Sequence, residues 1–234
     1  MKIGIFGIDG FSQGKANIVD QRVKTLEQMF KSAKQVFIQA DILTQEDKLK
    51  EADGIISLEE SRLVLVMTDL EFVELRLSRG AEALEKELLL RAKDCLSKEN
   101  MLSTLELTEE EKKISAAFPF LTNKPIFFCK PEDAQEKEKL LFNAYYGFGY
   151  ISFFTAGDKD AHAWSIKKGA NAYESAGCIH SDIQKGFIRA EVLSYDDLIK
   201  DGGLSQARQN NHIRLENKEY IVQDGDYIVF KCNK

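Results

Sequence analysis

The chain holds little of what builds disulfide-stapled, metal-bound or membrane-spanning proteins. Its 234 residues include only four cysteines and three histidines. Cys95, Cys129, Cys178 and Cys232 are scattered, with no Cys-x-x-Cys pair, which argues against a disulfide framework or a zinc site and fits a reducing compartment. His162 and His212 lack metal-ligand spacing and read as surface or edge residues. No apolar run is long enough to span a bilayer, and the opening MKIGIFGI is too short and too β-like for a signal peptide. The cytoplasm is the expected location, with no membrane partner. A net charge of −6 excludes wholesale electrostatic binding of nucleic acid unless a local basic patch offsets it.

What is present is an ordinary globular composition, 44% hydrophobic and 30% charged, arranged in two styles. Residues 1–149 read as α/β. Buried-type strands are expected at Lys2–Gly7, Gln35–Leu43, Ser61–Thr68 and Asn123–Cys129. A helix over Asp20–Lys34 carries Val23, Leu26, Met29 and Phe30 on one face, with Asp20 as N-cap. Strands alternating with helices imply a mostly parallel sheet. A charged helical stretch begins at Asp69, and Ser78-Arg79-Gly80 can fold it into a hairpin, giving an arm over about 69–106. Thr108 and Glu111 form a capping box before the next helix, and another helix is expected over Ala134–Gly147. The aromatic cluster Tyr145, Tyr146, Phe148 and Tyr150 reads as core or domain interface.

Residues 150–234 form a compact mixed β part. Tyr150–Gly157 and Ala161–Lys167 make a hairpin, Asn171–Ala176 a short helix, and Gly186–Tyr195, Ile213–Glu216, Lys218–Val222 and Tyr227–Lys231 further strands with a turn at Asp224-Gly225.

The stretches SFFTAG (152–157), AWSIKKG (163–169), AGCIHSDIQKGFIRAEVLSYDDLI (176–199) and RLENKEYIVQDGDYIVFK (214–231) resemble the C-terminal TGS domain of the YchF/Obg-like ATPase family. That resemblance implies a β-grasp fold for 150–234. The first part resembles the same family in pieces: VDQRVKTLEQMFKSAKQ (19–35), DLEFVELRL (69–77) and LTEEEKKISAAFPFLTNKPIFF (107–128). The implied fold class is α/β: a truncated P-loop NTPase-like, Rossmann-like domain with a short helical arm, followed by the β-grasp domain.

The segment GIFGIDGFSQGKANIV (4–19) looks like a phosphate loop but fails its chemistry. A Walker loop needs Gly-x-x-x-x-Gly-Lys-Ser/Thr, because glycines let backbone N–H groups close on phosphate and the hydroxyl holds magnesium. Five residues before Gly14 stands Asp9, and Ala16 replaces the hydroxyl. Against the family, Gly14-Lys15-Ala16 aligns downstream of the phosphate loop, which is then deleted between about Gly7 and Phe11. Asp41-Ile42-Leu43-Thr44 stands where the family has Asp-x-x-Gly, and Cys129-Lys130-Pro131-Glu132 where it has its base-reading motif. The resemblance leaves Lys15 and Asp41 as the candidate residues of a residual nucleotide site, with no motif left to support it.

No residue is therefore assigned a catalytic role and no cofactor or metal is called for. The exposed candidates are the basic and stacking groups Lys167, Lys168, His180, Lys185, Phe187 and Arg189. Period-two alternation places Phe187, Arg189 and Glu191 on one side of a strand, so Phe187 is expected to be available to RNA. The leading reading is a non-catalytic protein that touches RNA, the ribosome or a regulatory ligand. The alternative is a nucleotide-binding relative with weak or no hydrolysis. A Cys178/His180 nucleophile pair is a remote third, because Cys178 reads as a small buried residue and His180 as a loop residue.

Overall fold

In the computed structural model, residues 1–233 are described. The strands are β1 (Lys2–Phe6), β2 (Gly14–Ile18), β3 (Gln35–Val36), β4 (Ile38–Leu43), β5 (Gly54–Leu58), β6 (Ile126–Cys129), β7 (Tyr150–Ala156), β8 (Ala161–Lys167), β9 (Phe187–Ser194), β10 (Arg214–Glu216) and β11 (Asp226–Cys232). The helices are α1 (Gln21–Phe30), α2 (Arg62–Ser78), α3 (Ala83–Ser97), α4 (Glu109–Ala116), α5 (Lys137–Gly147), α6 (Ala172–Ile179), α7 (Ser181–Lys185), α8 (Tyr195–Asp201) and α9 (Leu204–Gln209). They form two sheets, ordered β2-β4-β1-β5-β6 and β10-β9-β11-β7-β8-β3. No helix among the described residues is long and apolar enough to cross a membrane.

One compact unit comprises residues 1–16 and 40–140, the other 17–39 and 141–234. Gln35–Leu43, expected as one strand, breaks at Phe37 into β3 and β4, which belong to different sheets. Alternation alone does not reveal that break, because both halves have strand character.

In the first unit β4, β1, β5 and β6 pair in parallel, as the alternation of strands and helices implied. The expected strand Ser61–Thr68 is instead the first half of α2. Leu65, Val66, Asp69 and Val73 are buried while Leu63, Val64 and Met67 are exposed, a helical and not an alternating pattern. The strand's place is taken by β5, whose Gly54–Ser57 are all buried, as befits a parallel strand covered on both faces. Chain reversal at Gly80, with φ of +86°, folds α3 back along α2, and ion pairs Arg76–Glu85 and Glu74–Lys93 link the two. This hairpin is not a bare arm: Val66, Val73, Leu89, Ala92 and Leu96 share a core with Phe120. The capping box at Thr108 and Glu111 forms as expected.

In the second unit the β7–β8 hairpin is antiparallel, β11 pairs parallel with β7, and β9 pairs antiparallel with β11 and β10. One apolar cluster packs Phe153, Ile166, Val192 and Ile228 with Ala172 of α6. The opposite side carries Phe154 and Tyr227, and Tyr227 stacks on Phe30 of α1 at 5.3 Å. The end of α1 is tied down as Ser32 Oγ donates to the Gly157 carbonyl (2.6 Å) and Ala33 N–H to that of Asp158 (3.0 Å). Residues 218–222, expected as a strand, contribute only an isolated bridge between Ile221 and Asn171.

Candidate functional site

In the first unit, β1 leads through residues 7–13 into β2. Gly7 has φ of +68°, and a Cβ there would lie 2.6 Å from Ser61 Oγ, so the loop sits tightly on the start of α2. Lys137 donates its ammonium to the Gly10 carbonyl and lies over the Phe11 ring at 5.3 Å. Gly14 and Lys15 lie in a strand, with Lys15 exposed. The next helix starts only at Gln21, where Asp20 accepts from the Arg22 N–H at 2.9 Å. A phosphate trap needs a curled loop feeding straight into a helix N-terminus, and Gly14-Lys15 stands in neither. Asp41 is exposed on β4, in register with Lys2, and no hydrogen bond or ion pair joins it to Lys15 among the described residues.

The six basic and stacking candidates of the second unit do not make one patch. Lys167 ends β8 opposite Tyr150, its ammonium 3.8 Å from that ring's centre, and Lys168 follows in the turn, its N–H bonded to the Gly149 carbonyl. Arg189 on β9 faces Lys231 near the end of β11. Because β11 runs parallel to β7 with Tyr227 opposite Phe154, Lys231 lies at the other end of the sheet from Tyr150. His180 is exposed between α6 and α7, where its Nδ1 accepts from the Asp182 N–H at 3.1 Å. Lys185 ends α7 next to β9. Lys185 and Arg189 are exposed, and neither pairs with a carboxylate among the described residues.

Phe187 is not on the Arg189 side. The register slips between Lys231, opposite Arg189, and Cys232, opposite Phe187. Two residues of β9 are thus taken up against one of β11, a bulge that re-aims the side chains beyond it. Phe187 turns inward against Phe230, at 5.9 Å, and Tyr173, at 6.4 Å, and Ile188 is left 51% exposed.

Cys178 is exposed, not buried, and lies on α6, not on a strand. Partial burial, assisted by Glu174, pushes its thiol pKa up, and His180 is occupied as a cap, so no nucleophile–base pair exists. Its alkylation at neutral pH is expected to be slower than that of an unstructured cysteine peptide, because less thiolate is present. A faster rate would refute this assignment. His162 lies flat on Trp164, ring centres 3.7 Å apart, and His212 bonds Asp201 Oδ2 at 2.7 Å. No group of three or more metal-ligating side chains occurs among the described residues.

One cluster joins residues far apart in the sequence. Asp20, 2% exposed, takes Arg22 Nε at 3.0 Å and Nη2 at 2.8 Å, and Arg22 Nη1 reaches Asp224 Oδ2 at 2.8 Å. Tyr146 Oη and the Ser152 N–H donate to Asp224 Oδ1 at 2.9 and 3.0 Å. Burial disfavours the guanidinium charge, but hydrogen bonds to the two aspartates outweigh it and hold the Arg22 pKa above its ordinary value. Gly225, with φ of +86°, supplies the turn, and a Cβ there would come within 3.0 Å of Arg22 Nη1. This closed network ties α1 and α5 to the Asp224 turn. Its partners are used up internally, which makes it structural.

Comparisons with known proteins place these features. Residues 150–233 match the family model YchF-GTPase_C, described as a protein of unknown function (DUF933). The Ribosome-binding ATPase YchF of Bacillus subtilis is 31% identical over 77% of this chain and 67% of its own length. That of Mycoplasma genitalium is 49% identical over 38% of this chain and 24% of its own length. The chain thus matches about two thirds of the first relative and a quarter of the second. A solved structure of the Schizosaccharomyces pombe YchF GTPase, 18% identical, shares the fold with a TM-score of 0.75 over 99% of this chain and 97% of that one. On the strength of the match to the Bacillus subtilis relative, the chain belongs to the YchF family.

Proposed function

We propose that the chain is a non-hydrolysing YchF-family protein that binds the ribosome or its RNA, with residues 150–234 acting as a TGS-type β-grasp module. The observation that carries this reading is the pair Lys185 and Arg189, exposed and without carboxylate partners among the described residues, with Arg189 opposite Lys231 at one end of the sheet. These two cations can neutralise phosphates despite the net charge of −6, whereas Lys231 is paired with Glu191 at 3.2 Å. The relatives' printed name, which includes ribosome binding, agrees with it. Co-sedimentation with ribosomes at low salt tests the reading. Binding is expected, and Lys185→Glu with Arg189→Glu is expected to weaken it by about tenfold or more, since every phosphate deprived of its cation lowers the affinity. Wild-type protein that stays in the supernatant would overturn it.

The same relatives are named ATPases, which supports a second reading, retained nucleotide binding. Lys15 on a strand, without a loop and hydroxyl to go with it, argues against that. Millimolar ATP or GTP with magnesium is therefore expected to leave the melting temperature unchanged, whereas a ligand present at about ten times its Kd would add about 1.4 kcal/mol. A dose-dependent rise would favour the nucleotide reading.

A further inference from the structure

A cavity of about 570 Å³ lies in the second unit, between β3 with the chain leading into β4 on one side and β8 and α6 on the other. Its volume is in the roughly 300–1,000 Å³ range of small-molecule pockets. One wall is aromatic: His162 and Trp164, two apart on β8 and so on one face, are stacked at 3.7 Å with their planes 10° apart. Both are half-buried, and Trp164 is held by a 2.9 Å hydrogen bond from Nε1 to Thr155 Oγ1. The other wall carries the amides Asn17, Gln35 and Gln39. Each is exposed, and none makes a side-chain hydrogen bond among the described residues. Cys178 completes the lining.

The chemistry of this lining selects its ligand. A flat π surface beside carboxamides that can donate and accept suits a planar ring with polar edges, because stacking holds the ring and amides read its edge. Among the described residues no lysine or arginine lines the cavity, so none of them selects phosphate. A neutral heterocycle fits and a triphosphate gains nothing. Burial lowers the pKa of His162, which keeps its ring neutral at physiological pH. The edge position of β3 in the sheet order explains why this wall exists: the strand is only two residues long, and beyond it the chain leaves for the other sheet.

We propose that this cavity binds a single nucleobase, presented as a free nucleoside or on a single RNA strand, by stacking beside the His162–Trp164 pair and hydrogen bonding to Asn17, Gln35 and Gln39. The site lies on β8, with two strands between it and Arg189 on β9, and neither Lys185 nor Arg189 lines it, so its test is independent of ribosome sedimentation.

Trp164 is the chain's single tryptophan, which makes its fluorescence a local reporter. The full chain is titrated with adenosine, guanosine, cytidine and uridine, and separately with short single-stranded RNA, with excitation at the red edge of the tryptophan band. A second readout is the alkylation rate of Cys178, assigned by peptide mass spectrometry with the exposed Cys232 as internal control. Saturable quenching is expected, together with slowed alkylation of Cys178 and unchanged alkylation of Cys232. His162→Ala and Gln39→Ala are each expected to weaken binding by about fivefold or more, the low end of what one stacking interaction or one hydrogen bond contributes. Saturation by a nucleoside assigns a small-molecule site, and saturation by the oligonucleotide alone assigns a base carried on RNA. ATP is expected to bind no more tightly than adenosine. Absence of saturable quenching by any of these up to about 10 mM, weaker than any useful affinity, would overturn the proposal, as would quenching that leaves Cys178 unprotected.

Discussion

Arg22→Met is expected to destabilise the protein by about 3 kcal/mol, because removing one partner of a buried ion pair strands the other. Asp20 is 2% exposed, and all the side-chain donors that reach it come from Arg22. Without them its buried carboxylate keeps, among the described residues, only the Arg22 backbone N–H as partner. The cation also lies 4.8 Å over the Phe154 ring, an interaction that methionine replaces only in part. Arg22→Lys is expected to recover less than half of the loss, since an ammonium cannot reproduce the fork that bridges Asp20 and Asp224. Asp224→Asn should cost less, about 1 kcal/mol, because Asp224 is partly solvated. Urea unfolding followed by circular dichroism measures all three. A loss below about 0.5 kcal/mol for Arg22→Met would show that solvent, not Arg22, satisfies Asp20.

Asp69→Ala carries the second large effect, in the first unit. Asp69, 2% exposed on α2, accepts from the backbone N–H groups of Leu121, at 3.0 Å, and Thr122, at 2.8 Å, and from Thr122 Oγ1 at 2.6 Å. Alanine leaves those donors buried and unpaired, at about 1–3 kcal/mol each, partly offset by its better helix propensity. A net loss of about 3 kcal/mol is expected, a fall in Tm of about 6–12 °C for a chain of this size. Burial raises the pKa of Asp69, and its hydrogen bonds only partly oppose the rise. The folded carboxyl therefore holds its proton more tightly than the unfolded one. The protonation-linked part of its contribution to stability is full below the unfolded pKa of about 3.9 and is lost as pH rises through the folded value, while its accepted hydrogen bonds remain. Asp69→Asn should remove that pH dependence and lose less stability than alanine, keeping one acceptor. Equal pH profiles for wild type and Asp69→Asn above pH 4 would refute the assignment.

The features legible in the sequence were those encoded by neighbours. The caps at Asp20 and Thr108 form as their side chains dictate, and the β7–β8 hairpin follows from alternation around Gly157-Asp158. The strand expected at Ser61–Thr68 failed because valine and leucine suit either a strand or a buried helix. What decides is which of them find a core, and Val66 and Val73, seven residues apart, share one at helical spacing. Phe187 was misplaced by one residue of slip, invisible until β11 is laid beside β9. The His162–Trp164 wall lay in the sequence as two aromatic rings two apart, but its amide side comes from residues more than 120 positions earlier.

By itself the sequence determined the helix caps, the β7–β8 hairpin and the mixed α/β class. Each depends on residues within a turn or a strand of one another, where backbone sterics and short-range hydrogen bonds act. Only the tertiary structure decided that residues 17–39 belong with 141–234, that Arg22 answers a turn 202 residues away, and that the basic groups stand at opposite ends of a sheet. Those outcomes depend on which buried surfaces and charges meet once the chain has closed, and the burial of an apolar face does not specify its partner's position in the sequence.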